Sequence, residues 1–479
     1  MAQPYPPPSL DSFEGSSRET VEADAPPLVS LLDKQPSLSI FTRSTPGFEE
    51  IRQTCNSTVT TQPLAIVRPR TETDVSVVIS HCSVHSPRIP LVVRGGGHDM
   101  WGRSLVEDGV VVDLRALNHV EVAGDRTVAR IGGGITGGAL IKRLETLGLA
   151  TPTGFCTGVG YAGWALGGGY GVLQGKYGLG CDQILAARMV TASGDVVDTN
   201  DDPELLWALR GAGNGNFGAV VELTIKVYPC PSMLGGYLGY SLTDATKVFA
   251  KFQESILEEF PDEFSGDFLC GYVPGLGHSV LMMYTWVQDD HNLSKAKAHL
   301  EKFQTIGDVL LNTVAETTPY GFACSLDPVT AVFLPYHFRT RTVKSITPEL
   351  VKIFQDIEGP IGPSHIISHN AHGAAIKPDP GSCFPNRRPH IVFGIGAAPS
   401  PPHGPGSSEM DAARAYSDSM ATAIKDRGLA LESAYMNFSP PEECDTQLFY
   451  GKEVMERLKA LKRKYDSQNI FFKGYPTLV

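Results

Sequence analysis

Apolar residues recur along the chain with two spacings, and these spacings predict both helices and strands. Between residues 64 and 229, the segments 74–85 (DVSVVISHCSVH) and 138–149 (GALIKRLETLGL) repeat apolar side chains every three to four positions, as a helix with one buried face does. Short runs rich in Val and Ile predict strands at 90–96, 109–114 and 127–134. This mixture predicts an α+β fold.

The pattern changes after residue 230. Segments 279–287 (SVLMMYTWV) and 390–396 (HIVFGIG) are typical of strands, and they alternate with helical patterns at 292–307 and 409–428. The segment 450–472 predicts a helix followed by an extended end. A chain of 479 residues exceeds the size at which one hydrophobic core keeps growing, so we expect two domains.

Charge and composition exclude several classes of partner. The chain carries 40 Lys and Arg against 52 Asp and Glu, without a basic run, which argues against nucleic acid. We find no apolar stretch long enough to span a membrane. The N-terminal residues lack the basic and apolar regions of a signal peptide, so we expect a cytoplasmic protein, or a secreted one if a leader was removed. The sequence does not indicate an oligomeric state.

The cysteines do not suggest a metal site or a disulfide framework. The chain has nine, and none occurs in a C-x-x-C spacing. We expect most of them to be small buried residues. His369 and His372 lie three positions apart, but no third ligand of suitable spacing follows, and we predict no metal.

Glycine is concentrated in three stretches that predict a ligand-binding surface. RGGGHD (94–99) and IGGGITGG (131–138) each offer a run of backbone N–H groups, which favours anions, and two such runs suggest a pyrophosphate. The third stretch, 151–183, contains Cys156. Its GVGYAG (158–163) matches the dinucleotide fingerprint, but no strand is predicted before it, so we reject a Rossmann site.

Several segments in this order resemble the FAD-binding domain of the vanillyl-alcohol oxidase (VAO/PCMH) superfamily. They are AIVRPRTETDVSVVI, PLVVRGGGHDMWGRS, GVVVDLRALNHV, GFCTGVGYAGWALGGGYGVLQGKYGLGCDQI and PELLWALRGAGNGNFGAVVELTIKVYP. The tail YGKEVMERLKALKRKYDSQN resembles the C-terminal signature of the berberine-bridge-enzyme-like branch. The resemblance covers about 64–229 and 435–472.

The resemblance implies a two-domain α+β fold in which the substrate domain is an antiparallel sheet covered by helices. We place an N-terminal arm at 1–44, the PCMH-type FAD-binding domain at 45–229 and the substrate-binding domain at 230–435. The segment 436–479 is expected to return to the FAD-binding domain.

The resemblance also implies a flavin that is bound covalently at two positions. His98 matches the histidine linked to the 8α-methyl group of FAD, and Cys156 matches the cysteine linked to C6. Imidazole and thiolate are reasonable nucleophiles for an electron-poor ring. The other implied cofactor-binding residues are Arg94, Gly95, Gly96, Gly97, Asp99, Gly133, Gly154, Thr157, Gly158, Val159, Gly160, Gly163, Gly167, Gly168, Asn216, Gly218 and Val220.

Candidate catalytic residues come from the same resemblance. Val159 matches the position that controls access of oxygen, where valine accompanies oxidases. Tyr435 and Asn437 resemble a Y-x-N strand that faces the flavin, and Tyr450 begins the tail motif. The family's usual Asn is Glu453 here, which could be a general base or a surface carboxylate. Tyr435, Tyr450 and Glu453 are therefore the candidate bases.

Two further positions depart from the family pattern, and the resemblance gives Asp182 a structural role. Met100 replaces a Tyr two residues after the flavin-linking His, and Ser467 replaces a Pro in the tail signature.

Residues of the second domain that could face the substrate are His369, His372, Tyr284, Trp286 and Arg387.

The implied function is an FAD-dependent oxidase acting on a small organic molecule. It would take hydride from a C–H next to an alcohol or amine of a natural-product-like substrate and reduce O2 to H2O2. The alternatives are an oligosaccharide oxidase, a nicotine-type amine oxidase, and a flavin-bearing protein that catalyses a non-redox cyclisation or only binds ligand.

Overall fold

The computed structural model describes residues 3–4, 13–255, 260–330, 332–357, 359, 363–400, 402–440, 443 and 445–479. Up to residue 229 its strands are β1 (Gln3–Pro4), β2 (Ser39–Thr42), β3 (Ala65–Arg68), β4 (Leu91–Arg94), β5 (Val110–Asp113), β6 (Val120–Val122), β7 (Val128–Gly132), β8 (Leu149–Ala150), β9 (Ile184–Val190), β10 (Val196–Asp198), β11 (Ala219–Lys226) and β12 (Tyr228–Pro229). The helices of this part are α1 (Arg18–Asp24), α2 (Val29–Lys34), α3 (Phe48–Arg52), α4 (Glu72–Val84), α5 (Gly137–Thr146), α6 (Tyr161–Leu166), α7 (Gln174–Tyr177), α8 (Gly180–Gln183) and α9 (Pro203–Ala212).

Two sheets form the core of this part. One has the order β2-β3-β5-β4, with β5 parallel to both β3 and β4. The other is antiparallel, in the order β10-β9-β11-β7-β6. The strands and helices predicted before residue 150 are confirmed as β4, β5, β7, α4 and α5. Helix α4 begins with a capping box, because Thr71 and Asp74 each accept a backbone N–H of the other.

The second part of the chain is built on one large sheet. The strands of this part are β13 (Ser232–Ser241), β14 (Asp267–Val273), β15 (Gly277–Gln288), β16 (Leu311–Asn312), β17 (Ala315–Thr317), β18 (Val332–Phe333), β19 (His337–Val343), β20 (His365–Ala371) and β21 (His390–Ala397), and of these β18 lies outside the large sheet and pairs with β1. The helices are α10 (Ala245–Ser255), α11 (Ser294–Gln304), α12 (Pro319–Thr330), α13 (Pro348–Asp356) and α14 (Ser408–Asp426). The elements predicted at 279–287, 292–307, 390–396 and 409–428 are confirmed as β15, α11, β21 and α14.

Antiparallel pairing joins β16, β13, β15, β14, β20, β21 and β19 in this order. Helices α10, α11, α13 and α14 contribute to the apolar core on one face of the sheet. Side chains alternate between faces along a strand, and on β20 Ile366 enters this core while Ile367 and His369 line a cavity on the other face. The predicted α+β class, with helices covering an antiparallel sheet, is confirmed. The domain boundaries at 44, 229 and 435 stay predictions.

The C-terminal segment packs on the first part of the chain. Helices α15 (Thr446–Tyr450) and α16 (Lys452–Tyr465) follow each other, and Met455, Leu458 and Leu461 of α16 join the apolar core of β7, β9 and β11. The extended end predicted after this helix is wrong, because residues 466–479, all of them described, contain no strand. Instead the carboxylate of Asp466 accepts the backbone N–H groups of Ile470 and Phe471 and folds the chain into a turn.

Buried cysteines contribute to these cores as expected. Cys55, Cys82, Cys181, Cys270 and Cys383 are at most 4% exposed. Burial raises the pKa of the Cys82 thiol to about 12, which keeps it protonated and unreactive. Among the helices of the described residues, none combines the length and the apolar character needed to cross a membrane.

Candidate active site

The glycine run after β4 brings His98 against a second glycine-rich loop. A Cβ on Gly96 would lie 2.3 Å from the backbone nitrogen of Gly160, so a side chain at this position would force the loops apart. Gly97 has a φ of 71°, which L side chains rarely adopt. The run therefore lets the loop at 95–97 lie directly on the loop at 158–160, with His98 at its end.

Both loops border a cavity of about 330 Å3, which is within the usual range for small-molecule sites. The cavity lies between the two parts of the chain, since its wall also includes Phe338, His365 and His369 of the second sheet. The predicted site residues that line it are His98, Cys156, Gly95, Gly96, Gly97, Asp99, Gly133, Gly154, Val159, Gly160, Gly163, Gly218, Val220 and Tyr435.

Six predicted cofactor-binding residues support the cavity from behind and do not line it: Arg94, Thr157, Gly158, Gly167, Gly168 and Asn216. The guanidinium of Arg94 donates to the backbone carbonyl of Ile51 at 2.8 Å and is fully buried. Asn216 donates to the carbonyl of Ala212 at 3.1 Å. Such side chains fix the backbone of the loops, because a buried donor needs its acceptor.

Thr157 and the adjacent glycine loops have the same supporting role. The Thr157 hydroxyl donates to Asp327 at 2.8 Å, which ties the loop that carries Cys156 to α12. A Cβ on Gly167 would lie 2.3 Å from Oδ1 of Asn437, and one on Gly168 would meet the ring of Phe384 at 2.6 Å. These two glycines therefore permit contacts with the second part of the chain.

Two of the three candidate bases lie outside the cavity. The Tyr450 hydroxyl donates to the carbonyl of Gly211 at 2.7 Å, and the side chain is buried in the apolar core. Glu453 is exposed in the first turn of α16. It precedes the core residue Met455 by two positions, which places it about 200° away around the helix. Neither side chain faces the cavity, and of the three candidates Tyr435 is the one that lines it.

Tyr435 is held by an amide chain. Nδ2 of Asn437 donates to the Tyr435 oxygen at 2.9 Å and to the carbonyl of Trp164 at 3.0 Å, and Nδ2 of Asn214 donates to Oδ1 of Asn437 at 2.6 Å. Burial raises the pKa of Tyr435, and the bond from Asn437 opposes this rise. The Y-x-N segment is not the predicted strand: the N–H of Phe438 donates to the carbonyl of Tyr435 and closes a turn.

Tyr170, which no sequence motif singled out, also lines the cavity. Its ring lies 4.7 Å from that of Tyr435, nearly perpendicular to it. Its hydroxyl lies 2.7 Å from Nε2 of His390, at the start of β21. Nδ1 of His390 lies 2.6 Å from the carbonyl oxygen of Arg388. Tyr170 and His390 are 220 residues apart in sequence, and no motif relates them.

The wall beside these tyrosines is aromatic and neutral. The His369 ring lies 4.6 Å from Phe155, 5.4 Å from Phe438 and 5.7 Å from Tyr170. Burial lowers the pKa of His369 to about 3 and that of His365 to about 4, so both rings are neutral at pH 7. Nδ1 of His369 is buried and has no hydrogen-bond partner among the described residues, which leaves it available to a ligand.

The charged side chains in the cavity wall have partners within the chain. Asp99 pairs with Arg103 at 2.7 Å. Nζ of Lys473 donates to the carbonyl of Leu105 at 2.6 Å, and burial lowers its pKa. With Tyr475, this lysine brings the C-terminal segment into the wall.

The other second-part candidates lie outside the cavity. His372 packs its ring 4.4 Å from Phe260, and the Tyr284 hydroxyl donates to the carbonyl of Ala296 at 2.6 Å. Trp286 is buried in the core between sheet and helices. Arg387 forms an ion pair with Asp182 at 2.6 Å, which is consistent with the structural role expected for that aspartate.

The residues present fit a flavin cofactor. At Gly163 an added Cβ would meet nothing within 4 Å, and at Gly95 the nearest atom would be 3.9 Å away, so both glycines leave open space on the cavity wall. Removal from water lowers the pKa of His98 to about 4, and its imidazole is therefore neutral and nucleophilic at pH 7. Cys156 offers a second nucleophile in the same wall.

Comparison with known proteins gives the same assignment. Residues 63–200 match the family described as FAD binding domain. FAD-linked oxidoreductase aurO of Gibberella zeae is 34% identical over 453 residues, which are 93% of this chain and 86% of that protein. (R)-6-hydroxynicotine oxidase of Paenarthrobacter nicotinovorans is 30% identical over 90% of this chain and 94% of that protein.

A solved structure shares the architecture over nearly its whole length. The crystal structure of 6-hydroxy-D-nicotine oxidase from Arthrobacter nicotinovorans superposes with a TM-score of 0.80 and 25% identity, covering 92% of this chain and 98% of that one. The chain therefore belongs to the FAD-linked oxidoreductases of the VAO/PCMH superfamily.

Proposed function

We propose that this enzyme is an oxidase that takes hydride from a C–H bond next to an alcohol or amine of a small, natural-product-like molecule and reduces O2 to H2O2. One observation carries the proposal: His98, Cys156, Val159 and Tyr435 line a single cavity whose far wall is aromatic and neutral. FAD, when bound, supplies the acceptor for the hydride and then the reductant for dioxygen.

The cofactor is proposed to be held covalently through His98 and Cys156. The neutral state of His98 supports this assignment, because a protonated imidazole has no nucleophilic lone pair. The contact of the two glycine loops supports it as well, since it brings both residues to one cavity. Val159, three residues after Cys156 in the same wall, is assigned to oxygen access.

The cavity wall favours an uncharged aromatic substrate. Phe155, Tyr170 and Phe438 surround His369, and planar rings stack on such side chains. The wall's carboxylate, Asp99, already pairs with Arg103 and is not available to a cationic amine. An amine substrate is the second candidate, since a relative named for 6-hydroxynicotine covers 90% of this chain, and it would enter this wall in its neutral form.

The covalent linkages are tested by acid precipitation of wild-type protein and of His98→Ala, Cys156→Ala and the double variant. We expect the flavin to stay with the precipitate in the wild type and in both single variants, and to enter the supernatant in the double variant. Flavin in the wild-type supernatant would contradict both linkages. A precipitate and supernatant without flavin would contradict the assignment of the cavity to FAD.

The oxidase activity is tested by peroxide formation with benzyl alcohol, benzylamine, larger aromatic alcohols and oligosaccharides. We expect peroxide with an aromatic alcohol and little with oligosaccharides. Peroxide with oligosaccharides alone would replace the proposed substrate class. Flavin-loaded enzyme that forms no peroxide with any of them would favour the non-redox alternative, cyclisation or ligand binding.

A further inference from the structure

We propose that Asp327 is a positioning residue for the second covalent attachment of the flavin. Its carboxylate lies on α12, in the second part of the chain, and holds the loop that carries Cys156. The inference rests on the proposed function, in which Cys156 is linked to FAD. In balance, the Cys156 S–H bond and the C6–H bond of the flavin break, an S–C6 bond forms, and the two protons and two electrons released pass to dioxygen as H2O2.

Asp327 binds the residue that directly follows Cys156. Its Oδ1 accepts the backbone N–H of Thr157 at 3.3 Å. The Thr157 hydroxyl donates to the same carboxylate, at 2.9 Å from Oδ1 and 2.8 Å from Oδ2. Because the backbone N–H belongs to the planar peptide unit that joins Cys156 to Thr157, this bond fixes the direction of the chain at the cysteine itself. A carboxylate is also a stronger acceptor than a neutral oxygen.

The residue before Cys156 contacts the same helix. Phe155 is buried in an apolar cluster that includes Phe322 and Leu326 of α12. These two residues are four positions apart, and side chains with this spacing share one face of a helix. Asp327 directly follows Leu326 in the sequence. Cys156 therefore lies between an apolar contact and a polar contact that both come from α12.

The first part of the chain holds this loop through its backbone. The N–H of Gly138, in the first turn of α5, donates to the carbonyl of Thr157 at 2.9 Å, and the N–H of Val159 donates to the carbonyl of Cys156 at 3.3 Å. A Cβ on Gly138 would lie 2.5 Å from the Cβ of Thr157, so the loop packs closely on α5. Asp327 adds the side-chain bonds that come from the second part.

Attachment of the flavin requires the sulfur to contact one carbon of the ring. A displacement of about 1 Å between reacting groups can cost about 100-fold in rate, because proximity provides much of the driving force. Cys156 lines the cavity and is partly exposed, so the direction of its thiol depends on the backbone of its loop. Release of Thr157 from Asp327 would let this backbone move. We therefore expect the linkage at Cys156 to require the carboxylate on α12.

The inference is tested by protease digestion of the purified holoenzyme and mass spectrometry of the flavin-bearing peptides. In the wild type we expect one flavin to join the peptides of His98 and Cys156. In Asp327→Ala the flavin should stay on the His98 peptide, while the linked fraction of Cys156 should fall about 10–100-fold. Asp327→Asn keeps an oxygen that accepts the Thr157 N–H, so it should retain most of the linkage.

Flavin on the His98 peptide also shows that a variant folds and binds FAD, which separates positioning of the thiol from a general loss of structure. A matched control removes another contact of the same helix. Oε2 of Glu145, on α5, accepts the backbone N–H of Tyr320 in the first turn of α12 at 3.2 Å. Glu145→Ala therefore weakens the packing of α12 without changing the loop of Cys156, and its linked fraction should equal that of the wild type.

A second variant displaces the loop from the side of the first part. The methyl group of Gly138→Ala would collide with Thr157, so the linked fraction of Cys156 should fall although Asp327 is intact. Equal losses in Glu145→Ala and Asp327→Ala would overturn the inference, because packing of the whole helix would then be responsible.

Two further outcomes distinguish the inference from the proposed function. Full linkage at Cys156 in Asp327→Ala would overturn the role of Asp327 and leave the flavin attached at two positions, as the proposed function has it. A wild-type enzyme without flavin on the Cys156 peptide would contradict the second linkage itself, and with it the role of Asp327.

Discussion

Gly96 and Gly160 lie so close that the backbone of one fills the space where the other would carry a side chain: a Cβ on Gly96 would be 2.3 Å from the Gly160 nitrogen, and one on Gly160 would be 2.4 Å from the Gly96 nitrogen. Two backbones in such contact cannot accommodate a methyl group without moving. The position of His98 relative to Cys156 depends on this contact.

Gly96→Ala should therefore destabilise the fold by about 1–3 kcal/mol, the usual cost of overpacking, and should reduce FAD loading at least tenfold. The measurements are the flavin content per chain and the Tm. Gly124→Ala is the matched control, because a Cβ at Gly124 would meet nothing within 4 Å. Normal flavin content in Gly96→Ala would show that the loops can separate without losing the cofactor.

Glu453 and Tyr435 should behave differently in an activity assay. Tyr435→Phe removes a hydrogen bond to a buried ligand and should lower the peroxide rate with an aromatic alcohol about 10–100-fold. Glu453→Gln changes an exposed carboxylate and should stay within twofold of the wild type. A large loss in Glu453→Gln would mean that α16 rearranges during the reaction.

Asp267 should make stability depend on pH. Its side chain is fully buried, and burial raises its pKa well above the ordinary value. The raised pKa means that its contribution to stability is complete below the unfolded pKa and is lost as pH rises through the folded pKa. Asp267→Asn should therefore raise the Tm at pH 8 by about 1–3 °C, and by less at pH 5.

Oδ1 of Asp267 accepts the backbone N–H of Asn370 at 2.6 Å, a bond that an asparagine oxygen keeps. Asp244→Asn, at an exposed position, is the control and should not change the Tm at either pH. Equal Tm gains for Asp267→Asn at the two pH values would exclude titration as the cause.

Lys462 holds the C-terminal segment from within the core. Its ammonium is 2% exposed and donates to Asp466 at 2.7 Å, to the carbonyl of Asn216 at 2.8 Å and to that of Phe471 at 2.9 Å. Lys462→Met would leave the buried Asp466 carboxylate without its cation and should cost about 3–5 kcal/mol in unfolding free energy.

Lys459→Met on the same helix removes only a partly exposed pair with Glu456 and should cost less than about 1 kcal/mol. Denaturant unfolding of both variants distinguishes the two. If Lys462→Met unfolds at the wild-type midpoint, the buried ion pair contributes nothing net to stability.

Local sequence patterns predicted the helices and strands well, and they predicted the arrangement of the glycine loops in part. The spacing of apolar residues was sufficient to predict α4, α5 and β5, because the apolar faces of these elements pack against their neighbours. The order of the sequence motifs identified His98 and Cys156 as site residues, and the structure has both in the wall of one cavity. Their shared cavity was predicted from the family resemblance, and the glycines near both residues permit the close backbone contact that brings the two loops together.

The candidate catalytic residues were less predictable, because their positions depend on turns of the backbone and on contacts between residues that are distant in sequence. Gly451, with a φ of 82°, separates α15 from α16, so that Tyr450 points into the core and Glu453 to solvent although they are neighbours in sequence. Tyr170 and His390 meet only when β21 is placed beside the first part of the chain. No local signal encodes such a meeting.

Lys473 and Tyr475 form part of the cavity wall, and they follow α16, which packs on the first part of the chain. The C-terminal segment therefore closes one side of the flavin compartment. Retention of the cofactor is thereby linked to the attachment of the tail, because an enzyme whose tail is displaced presents this compartment open to solvent.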